Sequence, residues 1–224
     1  MVRVYHAWYS VIMWTYLLDL ISLVVPRHPD AEYARGVSRD TIESLLSPRI
    51  LREEPWIHSI LPYERRAVRS VIKSIKFYGE VGMVNLIAPV AADYLTDVLS
   101  DLAQTQGWND PLIVPVPTSR ARLSSRGYNQ AALIARAIQN RIDGVEYAEV
   151  LGREDRKSQI RAGTRAERKR NIADSFFVTD STRVSKRCIV LIDDVVETGA
   201  TLADCKRALI KAGAARVIAL AIAH

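Results

Sequence analysis

The chain has 224 residues, and its content of 49% hydrophobic and 25% charged residues suits one α/β domain, or such a domain with an N-terminal appendage. Its two cysteines, Cys188 and Cys205, lie far apart and outside any CxxC motif, which argues against a disulfide framework or a zinc site and fits a reducing cytoplasm. The formal net charge is +6, and residues 111–224 hold 20 Lys/Arg against 12 Asp/Glu, whereas residues 1–110 hold 11 against 13. A basic half of this kind is typical of an enzyme for polyanionic substrates or of a nucleic-acid binder.

The first segment, Val2–Val25, is mostly apolar and aromatic and predicts one or two amphipathic helices that end at Pro26. Its length approaches the roughly 20 residues of a membrane span, but Arg3, His6 and Asp19 interrupt it. No small-residue cleavage site of a signal peptide follows it. We therefore expect a cytoplasmic protein whose first helix packs on its own domain or on a second copy of the chain, as in a homodimer. Association with a membrane surface is the alternative.

The next part of the chain predicts a linker and two helices. Residues 27–54 are polar and contain one plausible short helix, Ser38–Leu46. Apolar residues at helical spacing within 61–77 predict a longer helix, which Gly79 should stop. A second long helix is predicted over Val84–Ala103.

A short apolar strand is predicted over Leu112–Pro117. Proline has no N–H to donate, so Pro115 and Pro117 should lie near the end of this strand or face an unpaired edge. The remaining predicted elements are the helix Asn129–Arg141, the strands Tyr147–Leu151 and Ser175–Val178, the helix Leu202–Ala212 with its stop at Gly213, and the strand Arg216–Ile222.

The strand that organises the chain begins with four large apolar residues, Ile189–Ile192, which predict burial on both faces of a parallel sheet. Two carboxylates follow, the acid pair Asp193–Asp194, and then a loop with Thr198, Gly199 and Thr201 leads into a helix. At such a junction, backbone N–H groups and the helix dipole favour a bound phosphate, and hydroxyl groups can donate to it. The alternative is an ordinary strand whose acids lie on a solvated loop.

The stretch Asp193–Thr201 resembles the phosphoribosyl diphosphate loop of the type I phosphoribosyltransferases. The resemblance implies that the acid pair holds the ribose hydroxyls, directly or through metal-bound water, and that the loop holds the 5′-phosphate. Mg2+ is the implied cofactor, because it would bridge the diphosphate and the ribose hydroxyls. The implied substrate-binding residues of this loop are Asp193, Asp194, Val195, Val196, Thr198, Gly199, Ala200 and Thr201.

Two further sites follow from the resemblance. Glu197 lies where some purine enzymes of this class carry an acidic base, and a carboxylate there could accept a proton from the incoming acceptor. Glutamate also occurs in loops for solubility alone, which is the alternative. Thr118, Ser119 and Arg120 follow a strand end and would form the pyrophosphate loop.

A second set of residues comprises Val114–Pro117, Arg122, Arg126–Gln130, the stretch from Gln159 to Phe176, and Trp14–Val25. This set resembles the ComF branch of these transferases, which is named for competence proteins of natural DNA uptake. Branch members often carry a cysteine-rich zinc module after the first helix. This chain has no cysteine before Cys188, so no zinc is expected.

The resemblance implies the type I phosphoribosyltransferase fold, an α/β fold with a central parallel sheet, helices on both faces and a small hood. Residues 1–54 would be an N-terminal helical extension and linker, and residues 55–224 the phosphoribosyltransferase domain. The basic stretch Arg153–Arg170 would be the hood over the site, where arginines stabilise the charge of a leaving pyrophosphate. A solvated charged face and a nucleic-acid contact are the alternatives for this stretch.

The implied reaction is transfer of ribose 5-phosphate from phosphoribosyl diphosphate to an acceptor, usually a nitrogen base, with release of pyrophosphate and a link to DNA uptake. Two other classes stay open. One is a sensor that binds phosphoribosyl diphosphate without turnover. The other is an accessory protein of natural transformation that binds single-stranded DNA. Such a protein ordinarily offers aromatic stacking platforms, but Trp8, Trp14 and Trp56 lie outside the basic half.

Overall fold

The computed structural model describes residues 29–154 and 175–224. The expected helix Val2–Val25 and residues 155–170 of the expected hood lie outside the described residues, so both stay predictions.

Within the described residues, six strands form a main sheet and two form a small separate sheet. The main sheet has the order β1-β2-β8-β7-β3-β4, and its neighbours are parallel except for β1 and β2. The small sheet pairs β5 and β6 antiparallel. The predicted central parallel sheet is confirmed. In chain order the strands are β1 (Arg49–Leu51), β2 (Glu54–Leu61), β3 (Leu112–Pro115), β4 (Glu146–Tyr147), β5 (Leu151–Arg153), β6 (Phe176–Val178), β7 (Cys188–Val195) and β8 (Arg216–Ala223).

Helices cover both faces of the main sheet, and side chains of the central strands alternate between the two faces. In β7, Val190 and Ile192 join the core on the face covered by α3, α4 and α6, whereas Ile189 and Leu191 join the core on the face covered by α7. The helices are α1 (Pro29–Arg35), α2 (Arg39–Ser44), α3 (Arg66–Tyr78), α4 (Val81–Gln106), α5 (Arg120–Arg126), α6 (Gln130–Gln139) and α7 (Ala200–Lys211).

The predicted stop signals lie where the sequence placed them. Gly79 ends α3 in the left-handed conformation, with φ +62°, and its N–H donates to the carbonyl of Ile75. Gly213, with φ +96°, follows the end of α7. Pro115 is the last residue of β3. The helices predicted over Ser38–Leu46, 61–77, Val84–Ala103, Asn129–Arg141 and Leu202–Ala212 correspond to α2, α3, α4, α6 and α7.

Strand β2 is a difference from the expectation, because Leu61 ends this strand instead of opening the helical segment. Strand β2 lies between β8 and β1, and β1 has only three residues. The first half of β2 is therefore only partly buried, and the residues of β2 do not form one apolar run in the sequence. Helix α5 is another difference, because no helix was predicted over residues 120–126. It has no buried residue, so the apolar spacing that predicts a helix is missing.

Residues 29–53 hold more structure than the expected linker. They contain α1, α2 and β1, and the side chains of Ala34 and Ile42 are fully buried in the core shared with α3 and α4. Helix α1 buries two residues, α2 buries one and β1 buries none, which is too few to produce a periodic signal. The division of the chain at residue 54 stays a prediction.

Helix α4 is long and apolar enough to cross a membrane by length and composition, and it is the one described helix that meets this test. Its residues Val84, Ile87, Ala91 and Leu95 are buried in the core. A core helix of an ordinary domain has this pattern.

The connections of β7 and β3 determine where a ligand can bind. From β7 the chain passes through α7 to β8 on one side, and from β3 it passes through α5 and α6 to β4 on the other. Because β7 and β3 are neighbours, the loops after their carboxyl ends diverge toward opposite faces and leave a crevice between them. Ligands of open α/β sheets bind at such a switch point.

Candidate functional site

The acid pair lies at the carboxyl end of β7, beside this crevice. The strand's alternation sends the two side chains to opposite faces, and Asp194 is buried whereas Asp193 is partly exposed. The N–H of Asp194 donates to Asp193 Oδ1 at 2.8 Å, and the N–H of Val195 donates to Asp194 Oδ1 at 2.9 Å. Each carboxylate is thereby oriented by the backbone of the next residue.

The acid pair is electrostatically strained. Burial, and secondly the charge of Asp194, raises the pKa of Asp193 well above its ordinary value. Donors or a cation brought by a ligand would relieve this strain, because they favour the ionised carboxylate. Two ribose hydroxyls are donors of this kind.

Lys76 of α3 lies beside the acid pair, although nothing in the sequence placed it there. Its Nζ lies 3.7 Å from Asp194 Oδ2, an atom that is buried and has no hydrogen-bond partner among the described residues. Lys76 follows Ile75, the last residue of the buried stripe of α3, and its side chain is 28% exposed. A lysine at the flank of an amphipathic helix is ordinary, so no signal in the sequence connects it with the acid pair.

The loop after β7 presents backbone donors to the crevice. Gly199 is the N-cap of α7 with φ +74°, and it has no side chain that could cap the first turn. The Ala200 N–H makes only a long contact of 3.4 Å to Thr198 Oγ1. The first-turn N–H groups therefore remain available to an anion.

The predicted residues of this loop divide into two groups. Glu197, Thr198, Ala200 and Thr201 are exposed. Val196 is buried in the core on the α7 face, and the partly buried Val195 packs on the core of the opposite face. Because both side chains pack in the cores, a ligand could contact these two valines only through their backbone atoms. Their role as binding residues stays a prediction, and it is now limited to the backbone.

The loop after β3 lies on the other side of the crevice. Thr118 Oγ1 is buried and has no hydrogen-bond partner among the described residues. Ser119 is the N-cap of α5, where its hydroxyl accepts from the Arg122 N–H at 3.3 Å. Arg120 is exposed. Thr118 and Arg120 thus have side-chain donors to offer, while the Ser119 hydroxyl is engaged in the cap.

Tyr128 and Asn129, in the segment after α5, connect this loop with the end of α3. The Tyr128 hydroxyl donates to the Ile75 carbonyl at 2.9 Å, and its ring lies against Gly79, where an added Cβ would come within 3.0 Å of it. Asn129 caps α6 and donates from Nδ2 to the Val116 carbonyl at 3.0 Å. The end of α3, which carries Lys76, is thereby tied to the β3 loop.

The acid pair suits one kind of metal. Among the described residues there is no group of three or more His, Cys, Asp or Glu side chains that could hold an ion by themselves. Mg2+ commonly uses one or two carboxylates and completes its octahedron with substrate phosphates and water. Asp193 is partly exposed, and Asp194 Oδ2 has no hydrogen-bond partner among the described residues, so both carboxylates fit that mode. The expectation that no zinc is bound stays a prediction.

Of the expected hood Arg153–Arg170, the structure describes Arg153 and Glu154, and Arg153 is the last residue of β5 in the small sheet. The Arg153 guanidinium lies 5.3 Å from the centre of the Phe176 ring. The predicted hood function of Arg153–Arg170 stays a prediction.

Comparison with curated proteins confirms the resemblance to the ComF competence proteins, and no family model matches the chain. The chain is 26% identical to competence protein ComFC of Bacillus subtilis over 148 residues, which cover 66% of this chain and 55% of that protein. It is 29% identical to ComFC of Streptococcus pneumoniae, over 66% of this chain and 60% of that protein. It is 32% identical to competence protein F of Haemophilus influenzae, over 45% of this chain and 44% of that protein. The chain thus matches about half the length of these relatives.

Solved structures similar to the chain include phosphoribosyltransferases. A glutamine phosphoribosylpyrophosphate amidotransferase from B. subtilis matches with a TM-score of 0.37 and 17% identity, over 67% of this chain and 30% of that one. The hypoxanthine-guanine phosphoribosyltransferase of L. donovani matches with a TM-score of 0.38 and 14% identity, over 63% and 67%. Because both TM-scores are low, the strand order and crossovers of the chain itself define its fold.

Proposed function

We propose that this chain binds phosphoribosyl diphosphate in the crevice between β7 and β3 and transfers its ribose 5-phosphate to a nitrogen base, with release of pyrophosphate. One observation carries the proposal. The acid pair, the uncapped first turn of α7 and the Thr118 loop meet at one switch point of the sheet. These are acceptors for hydroxyls between two sets of donors for phosphates, in the order that a ribose with phosphates at both ends requires.

The ribose 5-phosphate part of the ligand would lie on the β7 side. Asp193 and Asp194 accept from the two ribose hydroxyls, and this relieves the repulsion between the carboxylates. The 5′-phosphate binds the N–H groups of the loop from Thr198 to Thr201, whose hydroxyls add two donors. Gly199 permits the left-handed backbone, with φ +74°, through which this loop enters α7.

The diphosphate part would lie toward β3. Thr118 Oγ1, the backbone of Ser119 and the exposed Arg120 guanidinium are its proposed donors. Mg2+ held by the acid pair supplies charge neutralisation for the diphosphate when it is bound. The positive charge of the C-terminal half of the chain adds to the attraction for this polyanion.

Glu197 is the proposed general base. Its side chain is exposed and lines a cleft of about 750 Å³ together with Arg49, Tyr63, Glu64 and His224. A cleft with apolar walls and a few polar groups beside the loop suits an acceptor molecule. An exposed carboxylate there can accept the proton that a nitrogen acceptor loses on bond formation.

A second candidate, binding of single-stranded nucleic acid, is favoured by one surface feature. The rings of Phe77 and Tyr78 are 56% and 47% exposed at the end of α3. The Arg126 guanidinium lies 4.9 Å from the centre of the Phe77 ring, and Arg120 and Arg122 are exposed on the same short helix. The fold therefore places these two exposed aromatic rings beside exposed arginines of the basic half. A role in competence, the process that the relatives' names give, would use this surface.

Pyrophosphate release tests the first proposal. The purified chain would be incubated with phosphoribosyl diphosphate, Mg2+ and a panel of nucleobases, with the Asp193→Asn/Asp194→Asn variant as control. Release that depends on one base and is lost in the variant supports the enzyme. Tight binding without release under any condition would make the chain a sensor. Salt-sensitive oligonucleotide binding that Phe77→Ala and Tyr78→Ala weaken would support the second candidate.

A further inference from the structure

Lys76 stands in an unusual relation to the acid pair. Its Nζ is 3.7 Å from Asp194 Oδ2, which is too long for a hydrogen bond. One turn earlier on the same helix, Lys73 Nζ is 2.7 Å from Asp30 Oδ2, a close ion pair that ties α1 to α3. Lys73 is thus engaged by its partner, whereas Lys76 keeps donors for another anion while its charge faces the site.

Lys76 lies on the opposite side of the acid pair from α7. Asp193 shares its face of β7 with Ile189 and Leu191, which α7 covers, whereas Asp194 shares its face with Val190 and Ile192, which α3 helps to cover. The first turn of α7 and the Lys76 ammonium therefore lie on either side of the strand end.

Phosphoribosyl diphosphate has a matching arrangement. Its ribose carries the two hydroxyls in the middle, the 5-phosphate at one end and the 1-diphosphate at the other. With the hydroxyls on the acid pair and the 5-phosphate at α7, the diphosphate projects toward α3. The hydrogen bonds of Tyr128 and Asn129 hold this end of α3 beside the Thr118 loop, so donors from two elements face the same space.

We propose that Lys76 binds the diphosphate of phosphoribosyl diphosphate, a role that rests on the proposed function and adds a residue from a helix outside the two loops. The ammonium exchanges its long contact with Asp194 for direct contacts with diphosphate oxygens. It also keeps a positive charge between Asp194 and the diphosphate, so that the two anionic groups can lie close together.

Calorimetric titration with three ligands isolates this role. Phosphoribosyl diphosphate and pyrophosphate carry the diphosphate, whereas ribose 5-phosphate does not, and all three would be titrated in the presence of Mg2+. Lys76→Met should weaken the first two by about 10- to 100-fold, the range for losing a hydrogen bond to a charged group, and leave ribose 5-phosphate within about 3-fold. Lys76→Arg should restore part of the loss.

Lys73→Met is the matched control, because it removes the same charge from the same helix away from the crevice. It should lower the melting temperature without changing any of the three affinities. Equal losses for all three ligands in Lys76→Met would show that Lys76 only positions Asp194, and unchanged affinities would show that it has no role; either result overturns the assignment. If the unaltered protein binds none of the three ligands, the proposed function itself fails, and Lys76 has no diphosphate to bind.

Discussion

The end of the Ile57 side chain lies against the backbone of Gly199, and a Cβ atom at Gly199 would come within 2.8 Å of Ile57 Cδ1. Ile57 is a fully buried residue of β2, and Gly199 starts α7 with φ +74°. The loop proposed to bind the 5′-phosphate is therefore seated on a core residue from another strand. Its shape depends on packing that lies outside the loop.

Gly199→Ala should damage this loop in two ways, because the left-handed backbone disfavours a side chain and the new methyl group meets Ile57. We expect a loss of about 1–2 kcal/mol in the free energy of unfolding and at least about a 10-fold weaker affinity for phosphoribosyl diphosphate. Urea unfolding and calorimetric titration would measure the two effects.

Gly107→Ala is the matched control for the backbone effect. Gly107 has a similar φ of +64°, no atom lies within 4 Å of its added Cβ, and it ends α4 away from the crevice. This variant should lose stability without losing affinity. Ile57→Val removes the Cδ1 atom, so it should recover part of the lost affinity when combined with Gly199→Ala. Unchanged affinity in Gly199→Ala alone would contradict the proposed phosphate loop.

Asp193→Asn should stabilise the folded chain at neutral pH while removing its function. The folded-state pKa of Asp193 lies above its ordinary value of 3.8, so ionising this carboxyl opposes folding. This destabilisation is absent below pH 3.8, where the carboxyl group is protonated in both the folded and the unfolded chain. It appears as the pH rises through the folded pKa. Urea unfolding at pH 7 should therefore show a higher free energy of unfolding for the variant than for the unaltered chain. The gain should shrink as the pH is lowered.

Asp180→Asn provides the opposite case. A hydrogen bond from the Thr182 side chain lowers the pKa of Asp180, so its ionised form favours folding and its replacement should bring no gain. Equal behaviour of the two variants at pH 7 would contradict the account of the acid pair.

Tyr128→Phe should loosen the end of α3 that carries Lys76. The change removes the hydroxyl that donates to the Ile75 carbonyl and keeps the ring against Gly79. The Ile75 carbonyl still accepts a hydrogen bond from the Gly79 N–H, so it is not left without a partner. The free energy of unfolding should therefore fall by only about 0.5–1 kcal/mol. Affinity for pyrophosphate should fall as well. Tyr147→Phe, which removes a hydroxyl bonded to Glu149 on the surface, should leave that affinity unchanged.

His58 should make the chain less stable in mild acid. Burial lowers the pKa of His58 below its ordinary value of 6.5, and its Nδ1 lies 2.8 Å from the Tyr94 hydroxyl. The unfolded chain therefore takes up the proton first, and stability falls as the pH drops from 6.5 toward the folded pKa. Urea midpoints at pH 7.5 and 5.5 should differ less in His58→Gln than in the unaltered chain. An identical difference in both would rule out His58 as a source of the acid sensitivity.

Local signals predicted the secondary structure at the centre of the proposed site. The apolar run of β7, the acid pair and the small residues that follow are neighbours in sequence, so their geometry is set by a strand, a tight loop and a helix start. Gly79 and Gly213 gave the helix ends for the same reason, since the backbone after a helix needs a residue that tolerates positive φ.

Contacts between distant segments could not be predicted in this way. Lys76 and Asp194 meet because α3 packs beside β7, and neither residue carries a local sign of the other. Strand β2 was missed because its Glu54–His58 half is only partly buried. Helix α5 was missed because it buries no side chain. These contacts and elements can be identified only from the three-dimensional arrangement of the chain.

The central claim is that the acid pair binds the ribose of phosphoribosyl diphosphate, and one calorimetric experiment tests it most directly. The unaltered chain and the Asp193→Asn/Asp194→Asn variant would be titrated with phosphoribosyl diphosphate and Mg2+, after circular dichroism has shown that the variant is folded. We expect saturable binding by the unaltered chain and no measurable binding by the variant. The same affinity in both proteins would contradict the claim.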